Sequence, residues 1–309
     1  MKKRFPPISG KRFFCALFFA GAPVLTVYYG ASKIILEHKE KSALFAEGLQ
    51  RRKRPMEFHA ASAIFEQFPD FNAGIVAVKG IDNETEDEDI EAFLRHASLE
   101  AGLLLKLKPL SSDSSVQAYR EALRKAGIDP AAHLSTMEAG LLALEKGIAQ
   151  EQEAGTSAVM SGMTGFIGMQ AFERKTPAED LAAGAELQFR MPVLPFDIGK
   201  NGVMTLRPAE EGDTFTSRDG AEEQPDLGEP VFVLGKETAA RHFFCEMGEA
   251  GRVTEDTRHL LLVIPCFAVN RRRAMSVRNE LARRVKDSFG RSAEMAWIDE
   301  AHPSYVSEI

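Results

Sequence analysis

The hydrophobic period of this chain changes part-way along it, and that change restricts the fold more than any motif does. Before the change, Gly74-Ile75-Val76-Ala77-Val78 is a short apolar, β-branched run of the kind that forms a buried strand. Helical spacing follows. Thr85 and Glu88 have the separation of a capping box, acidic residues fill the next turn, and Ile90, Phe93, Leu94 and Ala97 share one face as far as Lys106, Lys108 and Pro109. Ser114–Ala126 predicts a second helix stopped at Gly127, and Thr136–Lys146 a third. From Val203 the signal turns to short strands, at Val203–Leu206, Val231–Leu234, Arg241–Phe244 and the strongly apolar Leu260–Phe267, and helix Val277–Ser288 closes the region. Helices and strands in mixed order, with no alternating strand-helix-strand units, predict an α+β fold: a helical first half and mixed or antiparallel strands in the second.

With 309 residues, 44% hydrophobic and 27% charged, the chain can bury one large core or two smaller ones, so disorder is not expected. A formal net charge of −7 means that any nucleic-acid contact must come from a local basic face. Cys15, Cys245 and Cys266 are odd in number and far apart, which indicates neither a disulfide framework nor a zinc site and fits a reducing compartment. The seven histidines show no metal-ligand spacing, so neither metal nor cofactor is expected. No nucleophile elbow, Walker A loop or dinucleotide fingerprint is present, and the hydrolase, NTPase and Rossmann classes lose their usual entry points.

Three regions follow from this patterning: an N-terminal extension over 1–55, a domain over 56–288 and a tail over 289–309. Within the extension, Phe13–Ala31 is a 19-residue stretch without a charge and with basic residues on both sides. It reads either as a membrane anchor or as sequence upstream of a true start at Met56. With the anchor the domain sits on the cytoplasmic side of the inner membrane; without it the protein is cytoplasmic and touches no membrane.

Two stretches invite chemistry. Gly162, Gly165 and Gly168 recur every three residues beside Met160, Met163 and Met169, a pattern that packs a helix tightly on a neighbour or brings backbone close to a ligand. Arg271, Arg272, Arg273, Arg278, Arg283, Arg284 and Lys286 put seven cations within sixteen residues, opposite the apolar Val277, Leu281 and Val285. That strip is either a solvated outer face or a phosphate-contacting, RNA-binding surface.

Five segments in order, FPDFNAGIVAVKGIDN, YREALRKAGIDP with Thr136-Met137-Glu138-Ala139, NGVMTLRPAEEGDTF, LGEPVFVLG and VTEDTRHLLLVIPCF, resemble successive signatures of one family. The family is the B3/B4 domain, the editing and tRNA-binding module of the phenylalanyl-tRNA synthetase β subunit. The resemblance spans residues 57–287 and includes nothing of the synthetase's catalytic core, so amino-acid activation is not implied. What it implies is binding of the aminoacylated 3′ end of tRNA and hydrolysis in trans of a wrongly attached amino acid such as tyrosine. That chemistry asks for a shaped cavity, an oriented water and a polar group that reads the extra hydroxyl.

Phe244-Cys245-Glu246 is similar to the family's Gly-Gly-Glu segment, which makes Glu246 the polar reader. Met169-Gln170-Ala171-Phe172-Glu173 is similar to its Met-His-Ala-Phe-Asp stretch, with Gln170 in the histidine position. Glutamine holds a water but takes no proton, so general-base chemistry there is in doubt. The resemblance also places Met169, Ala171, Phe172, Glu229 and Arg241 around the substrate. An Asn and an Arg-Arg pair that many free-standing members carry are missing, so the expected pocket is more apolar than the family's. The alternatives to an editing factor are a non-catalytic tRNA-binding module and a small-molecule or protein-interaction domain without RNA.

Overall fold

The computed structural model describes residues 14–19, 22–27, 55–153, 176–199 and 202–307. The chain divides into a unit over Met1–Arg54 and a unit over Pro55–Ile309. In the first, the apolar segment contains strands β1 (Phe14–Phe19) and β2 (Ala22–Val27), paired antiparallel. Among the described residues no helix is long and apolar enough to cross a membrane.

The second unit is an α+β fold. Its centre is a four-stranded antiparallel sheet in the order β13 (Glu294–Ile298), β4 (Phe71–Lys79), β12 (His259–Phe267), β5 (Leu194–Asp197). β4 and β12 pair without interruption from Lys79 opposite His259 to Phe71 opposite Phe267. Nearly every residue of both strands is buried, which is why both read as continuous apolar runs and not as alternating ones. Each fully buried Leu, Ile or Val there contributes about 1.5–3 kcal/mol relative to exposure.

Five of the helices surround the central sheet or pack on one another. They are α2 (Glu88–Leu107), α3 (Ser114–Lys125), α4 (Thr136–Glu153), α5 (Pro177–Phe189) and α6 (Arg271–Phe289), following the short α1 (Ser62–Gln67). α2 is capped by Asp87, whose carboxylate accepts from the amide of Ile90, and not by Thr85. The Thr85 hydroxyl instead donates to Asp82, ahead of the helix. α3 ends as expected, with Gly127 at φ +76 and the Ile128 amide donating back to the Leu123 carbonyl. α4 runs past Lys146 because Ile148 is still buried in the core.

The second sheet holds eight strands. Its path is β14 (Ser304–Val306), β3 (Glu57–Ala60), β6 (Val203–Pro208), β9 (Pro230–Leu234), β10 (Glu237–Arg241), β7 (Phe215–Thr216) and β8 (Glu222–Glu223), with β11 (Glu246–Met247) paired to β10 beside β7. The β3–β6 and β7–β10 pairs are parallel and the rest antiparallel. Residues 289–309, expected to trail as a tail, supply a strand to each sheet: β13 lies against β4 and β14 against β3.

One strand differs in a way that makes the site. Arg241–Phe244 was expected to be extended, but β10 ends at Arg241, and His242 and Phe243 take φ +49 and +64. Left-handed backbone at a non-glycine residue costs about 1–2 kcal/mol. The turn offsets that cost by driving two phenyl rings into the core, Phe243 against Phe68 (5.2 Å) and Phe71 (5.6 Å), and Phe244 against Tyr119 (5.3 Å).

Candidate functional site

The same turn that buries Phe243 and Phe244 returns the chain along β10, so that Arg241 and Glu246 face each other across the β10–β11 ladder. Behind them lies Glu229, at the residue before β9. Arg241 and Glu229 are both almost fully buried. The Arg241 Nε is 3.5 Å from Glu229 Oε1 and 4.0 Å from Glu246 Oε2, its Nη1 donates to Glu223, and its guanidinium lies over the Phe215 ring at 5.6 Å. The 3.5 Å contact is an ion pair without hydrogen-bond geometry, which leaves Arg241 Nε and Glu229 Oε1 without a hydrogen bond among the described residues. Charges this deep persist only because they are paired, and either one alone would be strongly destabilising.

His242 ties the two carboxylates together, with Nδ1 3.3 Å from Glu229 Oε2 and Nε2 3.5 Å from Glu246 Oε2. Its ring lies tilted against that of His133, 3.7 Å between centroids. Burial, followed by repulsion from His242, holds the His133 imidazole below its ordinary range. Among the described residues the result is a Glu-His-Glu chain whose exposed end is Glu246, with a side chain 38% exposed.

Glu246 opens onto a cleft of about 540 Å³. Its walls are a face of α4 (Thr136, Ala139, Gly140, Ala143), the facing side of α5 (Glu179, Asp180, Ala182, Ala183, Glu186), the start of β5 (Leu194, Pro195), Arg218, and Cys245-Glu246-Met247. The α4 positions recur at three, four and seven residues, so they form one helical stripe, and small side chains on it and on α5 are what leave the space open. Carboxylates outnumber cations in this lining, where Arg218 is the one cation among the described residues. The Cys245 thiol is pushed up to about 12 by burial and by the nearby Glu138 carboxylate, so it stays protonated and is no nucleophile at neutral pH.

The structure therefore brings three of the sequence-derived site residues together, Glu229, Arg241 and Glu246. Met169, Gln170, Ala171 and Phe172, with the Gly162–Gly168 repeat, lie outside the described residues. None of the seven basic residues near the C-terminal end lines the cleft. They sit on α6, where most are engaged within the fold. Arg271 and Arg278 flank Trp297 at 5.1 and 5.8 Å, Arg278 donates to the Ala296 carbonyl, and Arg271 is 3.7 Å from Asp299. Arg273 reaches Asp113, Arg283 is paired with Glu280 and Asp287, and Arg284 holds Glu280 while its guanidinium covers Phe93. Only Arg272 and Lys286 carry no such partner among the described residues.

No family model matches this chain, and no curated protein does either. The chemistry is thus read from the geometry. Glu246 presents a carboxylate to the cleft, held from behind by Arg241 and His242, and can accept from a water, a hydroxyl or an ammonium group. Among the described residues no group of three or more His, Cys, Asp or Glu is placed to hold a metal. Sequence reasoning passed over His242, His133 and Arg218. His242 was within reach, since it follows Arg241 directly inside an otherwise apolar segment; His133 sits in a loop with no local pattern to mark it.

Proposed function

We propose that this chain is a B3/B4-type module acting in the cytoplasm, whose cleft takes the aminoacylated 3′ end of a tRNA and hydrolyses a wrongly attached amino acid. The observation that carries this reading is the convergence of Glu229, Arg241 and Glu246 into one ion-paired network that presents Glu246 to a cleft opened by small side chains on α4 and α5. The small apolar residues of the cleft, Ala139, Ala143, Ala182 and Ala183 with Leu194, suit an amino-acid side chain, and Glu246 suits the hydroxyl or ammonium that such a ligand presents. An aminoacyl ester is already activated, so the protein has only to hold it and to orient a water, which the Glu246 carboxylate can both position and relieve of a proton.

Full-length protein incubated with a panel of mischarged tRNAs tests the reading. Wild type releases at least one amino acid, and Glu246→Ala lowers that rate about 10²–10⁴-fold, the range for loss of a general base. Unchanged hydrolysis in Glu246→Ala would remove Glu246 from the chemistry. Binding without turnover would assign a non-catalytic tRNA-binding module. A domain that serves small molecules or proteins and has left RNA is the second reading, favoured by the engagement of the α6 cations within the fold and by the net charge of −7. It is selected if no tRNA binds at low salt.

A further inference from the structure

Arg218 is the cleft's one described cation, and its setting is unusual for a surface arginine. It sits in the turn between β7 and β8, which is built without its side chain. The Ser217 amide donates to the Ala221 carbonyl at 2.9 Å, the Ser217 hydroxyl joins Asp219, and Gly220 takes φ +90. An isolated bridge from Ser217 to Gly248, with the Glu249 amide donating to the Thr216 carbonyl at 2.8 Å, fixes this turn to the chain just after Glu246. Arg218 and Glu246 are thereby held on the same rim.

The guanidinium spans from that rim to α5, where its Nη1 donates to Glu179 at 3.3 Å, and Glu179 is itself fixed in the first turn, its amide donating to the Thr176 hydroxyl. The Arg218 Nε is buried and has no hydrogen-bond acceptor among the described residues. The side chain as a whole is 30% exposed and lines the cleft, so the outer part of the guanidinium is what a ligand there can meet. Arginine offers its donors as a planar fork matched to phosphate oxygens.

We infer that Arg218 is a substrate-binding residue that receives the phosphodiester preceding the terminal nucleoside of the RNA. This rests on the reading of the cleft given above. In an aminoacyl ester the amino acid has no free carboxylate, so the nearest anion to the reacting carbonyl is that phosphodiester. Glu246 then serves the aminoacyl side of the ligand and Arg218 its nucleotide side, and the opposite charges on the rim fix which way round the ligand lies.

The test uses two probes with the full chain: tyrosyl-adenosine joined by a stable 3′-amide, and the same molecule extended on its 5′ side by one phosphodiester and a cytidine. Wild type binds the longer probe about tenfold more tightly, the size of one charge-assisted contact. Arg218→Ala erases that preference while leaving the shorter probe within about twofold, and Arg218→Lys keeps part of it, since a point charge replaces the fork. Equal weakening of both probes, or no weakening of either, overturns the role of Arg218 and leaves the cleft's function standing. Failure of wild type to bind either probe overturns the cleft's function, and the role of Arg218 with it. Circular dichroism of both variants confirms that the fold is kept.

Discussion

His133 packs against His242 with Glu229 and Glu246 beyond it, and that position makes the fold sensitive to acid. Because burial and His242 lower its proton affinity in the folded state, the unfolded chain binds the proton more readily. The contribution is therefore absent well above the ordinary histidine value and becomes a penalty as pH falls through about 6.5. Urea denaturation of wild type and His133→Gln at about pH 8 and pH 5.5 reads this out, and the expected result is a smaller loss of stability on acidification in the variant. An equal loss in both would mean that the His133–His242 contact does not govern the acid limb. The carboxylate side of the same network is what Glu246→Ala interrogates in the hydrolysis assay, so stability and activity probe its two ends separately.

At the scale of elements, the approach of α5 to α2 is set by a single missing methyl. A Cβ on Gly184 in α5 would come within 2.6 and 2.7 Å of two ring carbons of Phe93 in α2. Phe93 is buried and its ring face is covered by Arg284, so it has little room to yield. Gly184→Ala is expected to lower stability by about 1–3 kcal/mol, the cost of overpacking, despite alanine's better helix propensity. Thermal unfolding checks this, and a rise in Tm would show that α2 and α5 slide apart freely.

Elements were legible in the sequence wherever one physical cause decided them. Leu260–Phe267 and Gly74–Val78 could only be buried strands, and the Gly127 stop of α3 needed only a positive φ. The end of β10 was not legible, because His242 and Phe243 adopt left-handed backbone for the sake of tertiary contacts that no local pattern announces. The site inherits that blindness. Glu246, Arg241 and Glu229 could be named from the resemblance, but their convergence depends on that turn. His133 comes from a loop more than a hundred residues away.

For the whole molecule, the last stretch of chain is structural. β13 completes one sheet and β14 the other, and the Ser307 amide donates to the Met56 carbonyl at 2.8 Å while the Met56 amide donates to the Ser307 hydroxyl at 2.8 Å. Trp297, between Arg271 and Arg278, donates its indole N–H to Asn72 at 3.2 Å. Truncation after Gly290 is therefore expected to expose the β4 edge and the aromatic seat of α6, with a cooperative loss of structure and not a local fraying. Hydrogen exchange of β3 and β4 amides in the truncated chain measures it; protection equal to full length would show that the two end strands merely decorate the sheets.

The pairing of β4 with β12 also bears on how the protein is made. Lys79 and His259 are 180 residues apart, and almost nothing of β4 is satisfied until β12 arrives. A contact of such long range closes slowly, because the loop entropy is lost before any strand pairing compensates it. On the ribosome, at roughly 5–20 residues per second, β4 waits for about 10–40 s as an apolar strand without its partner. The early helices can form in that interval, but the central sheet cannot, so the nascent chain spends most of its synthesis with its stickiest segment uncovered.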